Sequence, residues 1–322
     1  MSGGHGQRSW RPGASRQAME RRAQLLADIR AFFAARAVLE VETPLLSRAG
    51  NSDPNVASIT TEEPMRRYLR TSPEYPMKRL LAAGYRDIYE LGRVFRAGEK
   101  GPRHNPEFTL LEWYRDGMLY LELASEVVAL ARHCGRGRFD DWPQSSRSYR
   151  GLFLEHTGLD PCNCSEQDLE SCALDRGIHA APLSQQEWLD LLLAKVIEPA
   201  LPGDTFTVVC DFPPEQAALA RIRPDDPPVA ERFEVYVGQM ELANGYQELT
   251  DAAEQRRRFE RETRLRQLRG EECAPVDEAL LQALEHGLPE CSGVALGVDR
   301  LLMSCLQLDR IEAVLAFSSD QA

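Results

Sequence analysis

Arg96, Glu99, Arg103, His104, Glu112 and Tyr114, all capable of charge chemistry, crowd into one segment, RVFRAGEKGPRHNPEFTLLEWYR, residues 93–115. Both ends alternate apolar and polar residues, as half-buried strands do. The middle holds two glycines and two prolines among charges, which reads as the connection of a hairpin. A solvated turn is the ordinary reading of such a loop. The sharper one is a site where arginines meet a polyanion while the return strand offers a carboxylate and a phenol to a cation.

Two further segments carry related chemistry. In GVALGVDRLLM, Gly297 and Arg300 stand where a strand gives way to a helix. Glycine admits close backbone approach, the helix start favours an anion, and Arg300 adds a full charge. An ordinary helix-start salt bridge explains Arg300 equally well. In RFEVYVGQMELANGYQEL, Glu234 and Glu241 lie an odd number of residues apart, so strict alternation puts them on opposite faces. They converge only across a bulge, for which Gly238 is the expected place.

The elements that must position these groups follow from periodicity. Strand geometry puts Glu90, Gly92, Val94 and Arg96 on one face, and Phe108, Leu110, Glu112 and Tyr114 on one face of the return strand. Apolar spacing predicts helices over 16–37, from Glu74, over 118–135, 184–200 and 251–286, and after Gly297. The 251–286 helix carries RRRFERETRLRQLR, whose charges suit a solvated face. Strands are expected in AVLEVETPLL, YLR, RDIYELGRVFR, EFTLLEWYR and TFTVVCDF, and in a long strand over RFEVYVGQMELANGYQEL with a turn at Asn244–Gly245. Hairpins with helices between them, rather than alternating βα units, predict an α+β fold on an antiparallel sheet.

The 322 residues suffice for a large core, and 43% apolar and 27% charged residues are ordinary for a globular chain. No apolar run is long enough to span a membrane. Residues 1–15 lack the apolar centre of a secretory signal and are expected to form a flexible tail. With no such signal, the eight cysteines are expected as reduced thiols in a cytoplasm. His156, Cys162, Cys164 and Cys172 do not match a common structural zinc spacing. A net charge of −12 disfavours nucleic acid as a partner, although a local basic site remains compatible with it.

VETPLL around Pro44, FR…RHNPEF with its following strand, and GVALGVDR before a terminal helix together resemble the three signature motifs of class II aminoacyl-tRNA synthetases. ELANGYQELTD is similar to the lysyl branch of that class. The resemblance runs from about Arg16 to Phe317, and implies a catalytic domain over 16–322 with a mainly helical insertion near 118–200. The lysyl synthetases carry an N-terminal β-barrel that grips the anticodon, for which this chain has no room. The chain therefore looks like the free-standing paralogues that activate (R)-β-lysine with ATP and attach it to a lysine of translation elongation factor P.

What the resemblance implies can be set out residue by residue. Arg96 would hold the α-phosphate of ATP, in a loop completed by Ala97, Gly98 and Glu99. His104 and Asn105 would touch the phosphates and nucleotide, and Phe108 would stack on adenine. Arg300, with Gly297 behind it, would hold the γ-phosphate. Glu234 and Glu241 would carry Mg2+, with Leu242 near the nucleotide. Ser72, Pro73 and Glu74 would receive the amino-acid end, and Glu112, Tyr114 and Glu248 the distal ammonium, with Asn244 and Ala295 lining the same pocket. Pro44 would lie at the interface of a homodimer. The synthetases often read R-N-E where this chain has Arg96-Ala97-Gly98-Glu99, and usually have glycine at Ala295 and often a smaller residue than Ser72. The last two departures point to a non-standard amino acid such as β-lysine. Two other readings compete. A truncated lysyl-tRNA synthetase charging tRNA is disfavoured by the acidic balance and missing barrel. A non-catalytic amino-acid-binding regulator would be expected to lose Arg96, His104, Glu234, Glu241 and Arg300, all of which are present.

Overall fold

Leu25, Ile29, Phe32 and Phe33 recur at helical spacing and form the buried stripe of α1 (Arg16–Ala34), whose start is capped by the Ser15 hydroxyl accepting from the Ala18 N–H. The computed structural model describes residues 10–62 and 64–322. The tail expected over 1–15 falls largely outside them, but Gly13 and Ala14 donate to the carbonyls of Ala316 and Leu315, so that part is tied down.

After α1 come β1 (Leu39–Glu40), β2 (Leu46–Ser47), β3 (Thr60–Thr61), β4 (Arg67–Leu69) and α2 (Glu74–Ala82). The central hairpin is β5 (Ile88–Phe95) and β6 (Glu107–Asp116), followed by α3 (Tyr120–Gly135). Then follow β7 (Gln144–Ser148), α4 (Tyr149–Thr157), α5 (Glu166–Leu174), α6 (Gln185–Leu192), β8 (Phe206–Phe212) and β9 (Ile222–Arg223). The chain closes with β10 (Val229–Val237), β11 (Met240–Gln247), α7 (Ala252–Leu268), α8 (Glu278–Gly287), β12 (Cys291–Gly297) and α9 (Val298–Leu306).

The main sheet has the order β1-β5-β6-β12-β11-β10-β8-β7, with β9 beside β10. Its interior pairings are antiparallel, and only the outer pairs β1–β5 and β7–β8 are parallel. The fold is therefore α+β, with an antiparallel centre flanked by helices. Side chains alternate through it. Leu111, Trp113, Val294, Leu296, Phe233 and Val235 pack under α1, α3 and α9, so the other face is left for chemistry. On that face Met77, Leu81, Ile88, Tyr114, Phe259 and Leu281 pack beneath α2, α7 and α8. A separate cluster joins α4, α5 and α6 to β8.

Three expectations need correction. The long late strand is a hairpin: the chain reverses between β10 and β11 at Gly238, where φ is +59° and an added Cβ would lie 2.8 Å from the Gly203 carbonyl oxygen. Asn244–Gly245 is not a turn but lies within β11, despite being a strong turn signal. A Cβ on Gly245 would lie 2.6 Å from the Gly293 oxygen and from the Phe233 ring, so glycine serves strand packing there. The predicted 251–286 helix is likewise two helices, α7 and α8, separated by residues 269–277.

Candidate active site

One row of residues crosses the floor of the site. Glu90 on β5 pairs with Glu112 on β6, Glu112 with Ala295 on β12, Ala295 with Asn244 on β11, and Asn244 with Glu234 on β10. The neighbouring row is Ile88, Tyr114, Gly293, Tyr246 and Arg232. The register between β10 and β11 shifts at Val235/Tyr236, so that Tyr236 faces Glu241 and Leu242 is the extra residue. The bulge needed to bring Glu234 and Glu241 to one face thus exists, but at Leu242 on β11 and not at Gly238, which lies in the turn. Above these rows lies a cavity of about 310 Å³.

One end of the cavity is cationic. Asp299, 2% exposed, accepts from the Thr109 N–H at 2.8 Å and pairs with buried Arg22, so the first turn of α9 is clamped to β6 and α1. That clamp presents Arg300, whose guanidinium donates to the Glu241 carboxylate at 2.9 Å and to the Glu241 carbonyl at 3.0 Å. Its other nitrogen lies 2.7 Å from His104 Nε2. Desolvation of the His104 ring, and then the Arg300 charge, hold the imidazole below its ordinary value, so it accepts from Arg300 as the neutral form. Arg96 stands 3.3 Å from Glu99 and over the Phe108 ring, with its guanidinium carbon 5.1 Å from the centroid. Arg96, Glu99, His104, Phe108, Leu242, Gly297 and Arg300 all face the cavity.

Other predicted residues stand differently. Ala97 and Gly98 form the turn itself and are absent from the cavity wall; the Ala97 N–H donates to the Ala57 carbonyl and Gly98 has a φ of +77°. Asn105 reaches the wall, but its amide donates to the Glu107 carbonyl at 2.6 Å and accepts from the Ser319 N–H at 3.0 Å. Pro73 precedes α2 and does not face the cavity. Glu234 sits behind the wall, 6% exposed, bound by Arg232 at 2.6 Å and the Tyr236 hydroxyl at 2.7 Å. Burial, opposed by Arg232 and reinforced by the Glu241 charge, pushes Glu234 above its ordinary value. Burial also works upward on Glu241, but Arg300 and then Arg232 outweigh it and hold it low. Among the described residues no group of three or more His, Cys, Asp or Glu side chains is set to hold a metal alone. Glu241, on the cavity wall, suits a divalent cation with ligands from elsewhere, as hard cations beside phosphates commonly use, and Glu234 joins it only by giving up Arg232.

The other end is anionic. The Glu112 carboxylate accepts from the Ser72 hydroxyl at 2.6 Å and from the Tyr114 hydroxyl at 2.7 Å. Glu74 accepts from the Tyr246 hydroxyl at 2.6 Å. The Lys78 ammonium lies between Glu74 at 2.7 Å and Glu248 at 2.6 Å. Burial, and then the Glu74 charge, push Glu112 up to about 7. Burial pushes Glu248 up to about 8 against the pull of Lys78. Sequence reasoning assigned Ser72 and Glu74 to one end of an amino acid, and Glu112, Tyr114 and Glu248 to the other; hydrogen bonds join the first four, and the Lys78 ion pair ties Glu248 to them. Ala295 points its methyl into this space between Glu112 and Asn244.

Sequence reasoning missed Lys78, Tyr246, Arg232, Gly293 and Glu198. Lys78 was detectable, since it lies four residues beyond Glu74 on a predicted helix. Gly293 has a sharp role: a Cβ there would collide with Glu248 Oε1 and the Tyr114 ring. Glu198, from the turn after α6, accepts from the Tyr236 hydroxyl at 3.3 Å, and burial beside Glu241 and Glu234 pushes it up to about 7.

Residues 8–321 match the family described as tRNA synthetases class II (D, K and N). The chain is similar to the elongation factor P–(R)-β-lysine ligase of Mannheimia succiniciproducens, 44% identical over 98% of this chain and 99% of the relative. It is also similar to the ligases of that name from Haemophilus ducreyi, at 44% over 98% and 97%, and Proteus mirabilis, at 45% over 96% and 97%.

Proposed function

Because the chain belongs to the class II tRNA synthetases (D, K and N), and within them to the elongation factor P–(R)-β-lysine ligases, we propose that it activates (R)-β-lysine with ATP and transfers the β-lysyl group to a lysine ε-amino group of elongation factor P. The observation that carries this reading is the division of one cavity into an arginine end, Arg96 and Arg300, and an end with three carboxylates, Glu74, Glu112 and Glu248. A nucleotide polyphosphate fits the first and a diamino acid the second.

In the first step the substrate carboxylate attacks the α-phosphorus of ATP; the bond to the bridging oxygen breaks and pyrophosphate leaves. The nucleophile arrives ionised and needs no general base. The barrier is the approach of two anions, which Arg96 beside the α-phosphate and Arg300 beside the γ-phosphate offset. Phe108 offers adenine a stacking face. Glu241 and Glu234 would hold Mg2+ together with phosphate oxygens and water, and the cation would supply further neutralisation of the leaving pyrophosphate. In the second step the unprotonated acceptor amine attacks the carbonyl carbon of the adenylate, AMP leaves, and the proton passes to solvent. Glu112, Tyr114 and Glu248 hold an ammonium of the amino acid through both steps, and the Ala295 methyl shapes the carboxylate end.

The extended chain around Pro44, between β1 and β2, supports a two-fold dimer, the commonest symmetry for such assemblies. No helix among the described residues is long and apolar enough to cross a membrane. ATP–pyrophosphate exchange measured with (R)-β-lysine, α-lysine and a monoamino analogue tests the reading. Exchange is expected with the diamino acids and strongest with β-lysine; exchange driven equally well by the monoamino analogue would overturn it.

A further inference from the structure

The carboxylate end contains a cation of its own. Lys78, on α2, is 1% exposed, and its ammonium bridges Glu74 and Glu248. The groups facing it come from every element around it: Glu74 on α2, Glu112 and Tyr114 on β6, Tyr246 on β11 with its ring centroid 5.5 Å away, Glu248, and Cys291 on β12. Glu248 Oε1 accepts no hydrogen bond from any described residue and points at Gly293. A buried carboxylate oxygen without a donor is costly, and its position is that of a group awaiting one.

Counting charge gives a definite result. Three carboxylates, buried Glu112 and Glu248 and half-buried Glu74, face one fixed ammonium, so the ionised pocket lacks two positive charges. A diamino acid brings two ammonium groups. We propose that Lys78 is a positioning residue acting as a permanent counter-cation, which sets the pocket's deficit at two charges and thereby matches it to the two ammonium groups of a diamino acid. This rests on the amino-acid reading given above.

The consequence is a linkage between protons and substrate. Where the substrate's cations are absent, protons take their place on Glu112 and Glu248, which burial holds near 7 and 8. Diamino acid must displace them, so its KM falls as pH rises from 6 to 8.5. Burial disfavours the Lys78 ammonium, but Glu248 and Glu74 more than offset this and keep it charged throughout that range. Without Lys78 both carboxylates hold their protons more tightly, and the fall in KM moves to higher pH. Each unit of displacement is about tenfold in KM at pH 7.

The test is Lys78→Met against Lys78→Arg, read as KM for diamino acid and for ATP between pH 6 and 9. The expected result is a KM for diamino acid raised about tenfold or more at pH 7 in Lys78→Met, with the pH profile moved up by about a unit. The ATP KM stays near wild type, and Lys78→Arg recovers most of the profile. A role in packing alone would leave the profile in place and make Lys78→Arg no better than Lys78→Met, which overturns the proposal. If Lys78→Met does not fold, the wild-type protein decides. The chain has three lysines, Lys78, Lys100 and Lys195, so 13C-lysine labelling makes the Cε signal of Lys78 separable. It must report a charged amine with and without bound diamino acid; loss of that charge on binding overturns the proposal. Wild-type protein that binds no diamino acid but shows a charged Lys78 would sink the amino-acid reading instead.

Discussion

Gly293→Ala adds one methyl at the point where the substrate pocket is tightest. Gly293 has no positive φ, so alanine suits the backbone and the β12 register survives. The methyl meets Glu248 Oε1 and the Tyr114 ring, and neither yields easily. Tyr114 is 2% exposed and its hydroxyl donates to Glu112 at 2.7 Å; Glu248 is 1% exposed and paired with Lys78 at 2.6 Å. Overpacking costs about 1–3 kcal/mol. Displacing a carboxylate from its ammonium partner forfeits about 1.5–3 kcal/mol, the usual worth of a hydrogen bond to a charged group. The overpacking weighs on the fold and is shared by free and bound protein, so affinity for the amino acid falls by the second figure alone, about 1.5–3 kcal/mol or roughly 10–150-fold, where its ammonium loses the displaced carboxylate. The arginine end is untouched, so the ATP KM should stay near wild type. Pyrophosphate exchange as a function of each substrate, with circular dichroism to confirm the fold, reads this out. A folded Gly293→Ala protein with unchanged amino-acid KM would refute the assignment of Glu248 and Tyr114 to the substrate.

Arg300→Ala should lower pyrophosphate exchange by about 10²–10³-fold, the usual cost of removing one preorganised donor to developing charge, while melting close to wild type; exchange near the normal rate rejects its role. Ala295→Gly removes a methyl beside Glu112 and Asn244 and should raise activity with α-lysine more than with β-lysine, within the roughly 10–200-fold that one methyl can discriminate; an unchanged isomer ratio contradicts this. Glu112 and Glu248, held near 7 and 8 against an ordinary 4.5, bind protons in the folded state that the unfolded chain has released. Their contribution to stability is therefore present below pH 4.5 and lost as pH rises through 7 and 8, so Glu248→Gln should weaken the fall in Tm of the substrate-free protein between pH 5.5 and 8.5. An equal or steeper fall in that variant would mean that Glu248 is ionised without substrate.

Much of this site could be read before any coordinates because strand alternation is local. The faces assigned to Glu90, Gly92 and Val94, and to Phe108, Leu110, Glu112 and Tyr114, are the faces observed, and β5 pairs with β6 in the register that joins them. Reading failed where a residue's meaning depended on another strand. Asn244–Gly245 has the composition of a turn, yet Gly245 is glycine because Gly293 and Phe233 press against it. Gly238 was read as a bulge within one strand, whereas it turns the chain back, and the real bulge lies at Leu242. Nothing in the sequence around Asn105 shows that its amide, at the cavity wall, is also held by Glu107 and by Ser319, the latter over two hundred residues away. Lys78 is one residue of a predicted helix, and only Glu248, just after β11, gives it a second carboxylate.

The central claim is that this cavity joins an amino acid activated by ATP to a protein lysine. Purified chain, ATP, Mg2+, (R)-β-lysine and elongation factor P should be incubated together, with tRNA offered in a parallel reaction, and the factor weighed by mass spectrometry after proteolysis. The account predicts that one lysine of the factor gains a single β-lysyl residue, that the gain requires ATP, and that tRNA stays uncharged. A factor of unchanged mass alongside charged tRNA would contradict it.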